Sequence, residues 1–338
     1  MKKHINIPVF IPHLGCPNMC VFCNQRSISG TVEYRREDAA REIEKGLSTA
    51  SPEQDVQIAF FGGSFTGIDR DEMIYLLETG YGYVKSRKAS SIRLSTRPDY
   101  IDEEILDILS RYGVKTIELG LQSMNDMVLS ASKRGHDAET GRNACRMIKA
   151  RGFELIGQMM IGLPLSTEAD EIYTAREICA LGADGARIYP TVVFLETELA
   201  DMARRGEYEP LSVDEAASRC ASALEVFSDA GVKVIRIGLQ SGEALVCGRG
   251  IYEKSEYHEA IGELCRGELF RRKFDRTPEM KNYSGKILKI AVNPKSVSRA
   301  AGLSASNKAY LKDKYGIRDM KIHADPSIGE YDFEILPD

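Results

Sequence analysis

Apolar residues in this chain fall in short, nearly continuous runs separated by longer amphipathic stretches. The runs lie at 5–12, 56–62, 92–96, 116–122, 155–162 and 186–193. Near-continuous apolarity is what strands need when both faces of a parallel sheet are covered. The stretches between them carry a helical period. Residues 37–47 put Ala39, Ala40, Ile43 and Leu47 on one face, and 102–110 bring Ile105, Leu106, Ile108 and Leu109 together. Stretches 168–181 and 213–229 continue the pattern, and Ser212 with Glu215 has the spacing of a capping box. Six strand-then-helix units predict an α/β fold, a partial (β/α)6 TIM-like barrel, with functional groups on loops at the C-terminal strand ends. A further strand is predicted at 232–239. After residue 244 the pattern weakens, and short strands recur at 287–292 and 320–324. The expected division is a barrel over 1–244 and a small α/β extension over 245–338.

A content of 43% hydrophobic and 28% charged residues allows a sizeable core and argues against disorder. No run reaches the about 18 apolar residues that cross a membrane. The N-terminal apolar stretch is broken by Asn6, Pro8, Pro12 and His13, so no signal peptide is read either. The net charge of −5 hides an asymmetry, because residues 266–321 hold 15 Lys and Arg against 5 Asp and Glu. A basic segment on an acidic body is either a polyanion-binding surface or a solvated helix face.

Three of the eight cysteines sit within residues 16–23; Cys145, Cys179, Cys220, Cys247 and Cys265 are dispersed. This is no disulfide framework. It points to a reducing, cytoplasmic setting with one local metal site and inert core thiols. Cys16, Cys20 and Cys23 have C-x3-C-x2-C spacing directly after the first predicted strand. The outer two are at most ~25 Å apart even when extended, so the loop can close around one cluster. Cysteine thiolates are the usual iron–sulfur ligands, and three instead of four leave one iron open. The rival is zinc held by three cysteines and His13, although paired C-x2-C knuckles are missing.

Polar motifs recur at the predicted strand ends. Phe61-Gly62-Gly63-Ser64-Phe65 follows the second strand, where two glycines allow close backbone approach or a tight turn. Ser95-Thr96-Arg97-Pro98-Asp99 ends the third. Glu118-Leu119-Gly120-Leu121-Gln122-Ser123 ends the fourth, followed by Lys133-Arg134-Gly135-His136. Glu118 and Gln122 inside an apolar run need hydrogen-bond partners, which favours contact with a ligand. His136 reads as a helix-start residue, with catalysis as the alternative. The fifth strand ends at Gln158-Met159-Met160-Ile161-Gly162-Leu163-Pro164, and the sixth at Arg187-Ile188-Tyr189-Pro190-Thr191. Tyr189 is a candidate for a substrate or radical-relay role, with a satisfied core tyrosine as the alternative.

The cysteine spacing, with aromatic Phe22 before the third cysteine, resembles the radical S-adenosylmethionine (SAM) motif. The resemblance implies a [4Fe–4S] cluster on Cys16, Cys20 and Cys23 whose open iron is chelated by SAM. It further implies reductive cleavage of SAM to a 5′-deoxyadenosyl radical and an external one-electron reductant of flavodoxin or ferredoxin type. It brings SAM to Phe22, Gly62, Gly63, Ser64, Ser95, Gln122, Arg134 and Met160. Ser64 stands where the superfamily's Gly-Gly-Glu-type motif has Glu. Ser95 is expected near the ribose, Arg134 near the carboxylate and the Met160 segment near the adenine. Glu118 and Tyr189 are the catalytic candidates.

Together with 206–210, these stretches resemble the radical SAM half of the Elongator catalytic subunit family over residues 5–240. That family attaches a carboxymethyl-type group to the wobble uridine of tRNA, using an acetyl-CoA-binding domain after the barrel. No acetyltransferase-like glycine loop is read after residue 244, and the tail is too short for that domain. Residues 285–338 instead read strand, helix, helix, strand. They resemble a KH RNA-binding module with Gly302-Leu303-Ser304-Ala305 in place of its GxxG loop. The reading is a radical SAM enzyme acting on RNA, with tRNA first among substrates and no membrane partner. The alternatives are radical chemistry on a small molecule or tetrapyrrole, as in oxygen-independent coproporphyrinogen oxidases, and an RNA-binding protein whose cluster is structural or regulatory.

Overall fold

The computed structural model describes residues 4–11, 20–23, 35–51, 53–239 and 250–337. Seven parallel strands lie side by side in chain order. They are β1 (His4–Phe10), β2 (Asp55–Phe61), β3 (Ser91–Thr96), β4 (Val114–Gln122), β5 (Glu154–Ile161), β6 (Gly185–Pro190) and β7 (Lys233–Ile237). The strand expected at 232–239 is thus the seventh member of this sheet. The connecting helices are α1 (Asp38–Thr49), α2 (Arg70–Lys85), α3 (Glu103–Arg111), α4 (Asp126–Ala131), α5 (Ala138–Ala150), α6 (Glu168–Ala180), α7 (Glu198–Arg204) and α8 (Val213–Asp229). The sheet curls into a half-barrel of the partial TIM type, as the alternating pattern predicts. The capping box at the start of α8 is present, with Ser212 and Glu215 bonded reciprocally.

Alternate residues of a strand go to opposite faces. Ile58, Leu94, Leu119, Met159 and Ile188 pack under the helices and are sealed from solvent. The other parity carries Gln57, Arg93, Thr116, Glu118, Gln158 and Arg187. The inner face of the half-barrel therefore holds a polar cluster beside Ala59, Phe61, Ile156 and Met160, where the sequence runs suggest apolar residues on both sides.

Gln57, Arg93, Thr116, Glu118 and Arg187 form one connected network. Glu118, only 2% exposed, accepts from Arg93 Nη1 at 2.7 Å and from Arg187 Nη2 at 2.9 Å, both on Oε1. Its Oε2 lies 2.7 Å from Arg187 Nε, an ion contact rather than a well-directed hydrogen bond. Arg93 Nε donates to Gln57 at 3.0 Å, and Gln57 donates to Ser91 at 2.8 Å. Thr116 bonds the Glu154 carboxylate.

The extension is built on the barrel through one helix, α9 (Ile261–Arg276). Its Cys265 and Leu269 complete the barrel core, while Phe270 and Phe274 start a second core with Met280, Leu288, Leu311 and Met320. Then follow β8 (Ile287–Val292), α10 (Val297–Ala301), α11 (Ser306–Tyr315), β9 (Asp319–Ala324) and β10 (Phe333–Ile335). The strand, helix, helix, strand order is in place. In this second sheet β8 is central, with β9 parallel and β10 antiparallel to it.

Removing one member of a buried ion pair leaves its partner's charge uncompensated, at a typical cost of about 3–5 kcal/mol. Glu118→Gln is expected to destabilise the chain by that amount in urea unfolding. A loss below about 1 kcal/mol would show that the paired arginines find other compensation.

Candidate active site

The described part of the cysteine loop is strapped at the C-terminal end of the sheet. Cys23 N donates to Cys20 O at 3.0 Å, closing a turn. Val21 N donates to Ser132 O at 3.2 Å, and Leu199 N donates back to Val21 O at 2.8 Å. The loop is thereby fixed to the segment after α4 and to the start of α7. Val21 is buried with Val193, Leu199 and Tyr252, and Phe22 packs on the edge of that cluster. Lys133, just before Arg134, pairs with Glu198 at 2.6 Å and closes the same corner. Cys16 and His13 lie outside the described residues, as does Cys247.

Two buried guanidiniums face Cys20. Arg134 Nη1 lies 3.5 Å from Cys20 Sγ and its Nη2 donates to Gly120 O at 2.6 Å. Arg97 Nη1 lies 3.9 Å from the same sulfur. Arg97 also grips both oxygens of Asp99 at 2.9 Å and donates to Arg134 O at 2.5 Å.

The turn after β2 holds Gly62 at φ 95° and Gly63 at φ 104°, backbone that side chains strain to adopt. A Cβ on Gly62 would sit 2.8 Å from the Ile11 carbonyl oxygen, so the turn lies flat against the end of β1. Ser64 follows and is buried. The Thr66 and Thr96 hydroxyls bond each other at 2.6 Å and tie this turn to β3. Ser95, half-buried, makes no hydrogen bond through its side chain among the described residues; Thr96, its neighbour, is already committed.

At the end of β4 the ladder is interrupted: Gly120 pairs with Gln158 and Gln122 with Met159, so one residue bulges. Gln122 takes φ 68°, a costly conformation for a residue with a Cβ. Its amide lies over Gly120, where a Cβ would meet Gln122 Nε2 and Arg134 Nη2 at 3.0 Å. Met160 and Tyr189 are register partners on the inner face, both half-buried. Burial raises the Tyr189 phenol above its ordinary range, opposed by the neighbouring Arg187 cation. The turn after β5 is pinned by buried Glu171, which accepts from Gly162 N at 2.6 Å and pairs with Arg219. Tyr208 donates to Gly162 O at 2.7 Å.

The predicted residues Cys20, Cys23, Gly62, Gly63, Ser64, Ser95, Gln122, Arg134, Met160 and Tyr189 therefore share one end of the sheet. Phe22 belongs to the packing beneath the loop. Glu118 lies deeper, with its carboxylate taken by two arginines, and in this structure it fixes Arg93 and Arg187. Arg93 was not singled out from the sequence, and Arg97 and Asp99 were read as part of the motif that ends the third strand without their pairing. The signals for them were the alternation Ser91, Arg93, Ser95 and the i, i+2 placement of opposite charges. The dispersed thiols suit packing: burial pushes Cys145 and Cys265 up to about 12, so both stay protonated.

Residues 10–178 match the family described as the Radical SAM superfamily, and residues 183–269 match the Radical SAM C-terminal domain. The chain belongs to the radical SAM superfamily. An uncharacterized protein of Methanocaldococcus jannaschii is 28% identical over 67% of this chain and 73% of its own length. A tRNA uridine(34) acetyltransferase of Methanocaldococcus infernus is 27% identical over 52% of this chain, and Elongator complex protein 3 of Saccharomyces cerevisiae is 29% identical over 44%. The chain spans only 36% and 27% of those two proteins. Among solved structures, the archaeal Elp3 of Methanocaldococcus infernus shares the fold, with a TM-score of 0.63 at 20% identity over 82% of this chain and 63% of that one. The resemblance to the Elongator radical SAM half is borne out.

Membership makes the chain an enzyme and implies an iron–sulfur cluster and SAM. The residues present fit such groups. Two cysteines of the motif share one turn, Arg134 Nε is buried without a hydrogen-bond partner among the described residues, and the Gly62–Gly63 turn bares its backbone at positive φ. Among the described residues no helix is long and apolar enough to cross a membrane.

His136 stands just before Asp137, the N-cap of α5. Burial, reinforced by the Arg134 cation, pushes its imidazole from an ordinary 6.5 down to about 4. The folded state therefore holds it neutral where the unfolded chain takes up a proton. Its contribution to stability is complete above about pH 6.5 and is lost as pH falls toward about 4. Denaturation midpoints measured across this window should fall less steeply in His136→Gln than in the native chain.

Proposed function

We propose that this enzyme holds a [4Fe–4S] cluster on Cys16, Cys20 and Cys23, binds SAM beside it, and modifies an RNA, with tRNA as the first candidate. The observation that carries the cluster and SAM reading is the gathering of Cys20, Cys23, the Gly62–Gly63 turn, Gln122 and Arg134 at one end of the half-barrel. When bound, the cluster supplies the electron that breaks the sulfonium bond of SAM, drawn from a flavodoxin- or ferredoxin-type donor. The chain's own residues orient the partners. The Gly62–Gly63 turn offers backbone groups to the SAM ammonium. Arg134 offers its free Nε to the carboxylate, Ser95 its hydroxyl to the ribose, and Met160 an apolar flank to the adenine. Tyr189, half-buried on the inner face beside Met160, meets substrate in this reading. Glu118 keeps Arg187, and through it Tyr189, in position.

Two features support RNA. Relatives are named as tRNA-modifying and Elongator proteins. The extension, read as the KH-like unit of residues 285–338, also sorts its charges. Lys312 pairs with Asp319, Lys314 with Asp275 and Arg299 with Glu330. Lys289 and Lys321 are register partners on the face away from the second core, with like charges directly opposed. Lys286 and Arg318 stand where the same strands begin. None of these four has an acidic partner among the described residues. They offer a polyanion surface without acidic partners among the described residues, whereas Lys312 beside the Gly302–Ala305 loop is paired.

Anaerobic reconstitution should yield [4Fe–4S] absorbance and, with SAM and reductant, 5′-deoxyadenosine. Cys20→Ala should abolish both, and an iron-free, zinc-loaded native protein would refute the cluster. Replacing Lys286, Lys289, Arg318 and Lys321 with Ala should weaken tRNA binding about tenfold or more and flatten its salt dependence by about one unit of slope for each phosphate no longer neutralised. Lys312→Ala should leave binding near native. A native protein that binds no tRNA at low salt would remove RNA as substrate.

A further inference from the structure

Arg97 and Arg134 are 2% and 6% exposed, and among the described residues Asp99 is the carboxylate that lies against the pair. Asp99 is taken by Arg97 through two parallel bonds at 2.9 Å. Arg134 has no acidic partner among the described residues. Its Nη2 is spent on a carbonyl, and its Nε has no hydrogen-bond acceptor. A buried cation without a counter-charge is costly, so the described residues place a net positive charge here against strong opposition. Both guanidiniums turn an Nη1 toward the same atom, Cys20 Sγ, at 3.5 and 3.9 Å. Their relative position is locked, because Arg97 also donates to the Arg134 carbonyl at 2.5 Å.

We propose that Arg97 and Arg134 are positioning residues that set the reduction potential of the cluster by an electrostatic clamp on the Cys20 sulfur, with Asp99 as its counterweight. The inference rests on the cluster reading above. Reduction adds negative charge to the cluster and its thiolates. Cationic donors at a ligating sulfur stabilise the reduced state more than the oxidised one and raise the potential. Asp99 opposes this and restrains Arg97. The clamp acts before any SAM contact, which separates it from the carboxylate-binding role of the Arg134 Nε.

The test is a potentiometric titration of the anaerobically reconstituted full chain without SAM, followed by the electron paramagnetic resonance signal of the reduced cluster, with iron and sulfide measured for each variant. Arg97→Met and Arg134→Met should lower the reduced-to-oxidised ratio at a fixed potential by about threefold to tenfold, which is a negative shift of about 30–60 mV at 59 mV per decade. Arg134→Lys should recover most of the shift. Asp99→Asn should move the midpoint the opposite way. Should a methionine variant lose its cluster, the opposite shift of Asp99→Asn and the rescue by lysine still decide. Variants with full iron and sulfide and the native midpoint overturn the clamp. A native chain that assembles no cluster overturns the reading beneath it.

Discussion

A carboxylate in the interior of a sheet keeps its charge only where cations meet it. Glu118 is met by two, Arg93 from the neighbouring strand and Arg187 from two strands away. These contacts hold charged groups on the concave face, where apolar side chains would otherwise close the half-barrel into a solid core. Arg93 carries the network down to Gln57 and Ser91. Arg187 carries it up to the Tyr189 hydroxyl at 3.4 Å and stacks over Phe61 at 5.8 Å. The polar interior is thus a continuous piece of structure, and the cleft above it inherits its floor.

Above that floor the ladder gives way to loops, and the backbone departs from ordinary geometry in three adjacent places. The Gly62–Gly63 turn and Gln122 have positive φ, and Gly162, also left-handed, is clamped by Glu171 and Tyr208. Of these, Gln122 carries the strain, and strained backbone persists only where its surroundings over-determine it. The cysteine loop adds a fourth fixed element, tied at Val21 to two different segments. Together they make a preorganised rim instead of a set of independent loops.

The extension shares a helix with the barrel instead of hanging from a linker. Because α9 contributes to both cores, a change in one is felt in the other through a rigid element. The shared helix also ties the basic strand face, which has no acidic partner among the described residues, to the barrel.

Much of this was legible along the chain. Buried parallel strands, their helices, the Ser212 capping box, the cysteine spacing and the strand-end positions of Gly62, Gln122, Arg134 and Tyr189 all follow from local pattern, because period and turn chemistry act over a few residues. The seventh strand was seen as a strand, and pairing gave it its place. What the chain could not reveal is which charges cancel. Glu118 looked like a ligand-facing acid until Arg93 and Arg187 closed on it. Arg97 and Arg134, separated in sequence by the whole of α3, β4 and α4, meet at one sulfur. The order of residues settles which groups are present and in what succession they reach the end of the sheet. Only folding in three dimensions settles which of them remain unneutralised there, because Coulomb interactions depend on distance in space and on burial, and neither is written in spacing along the chain.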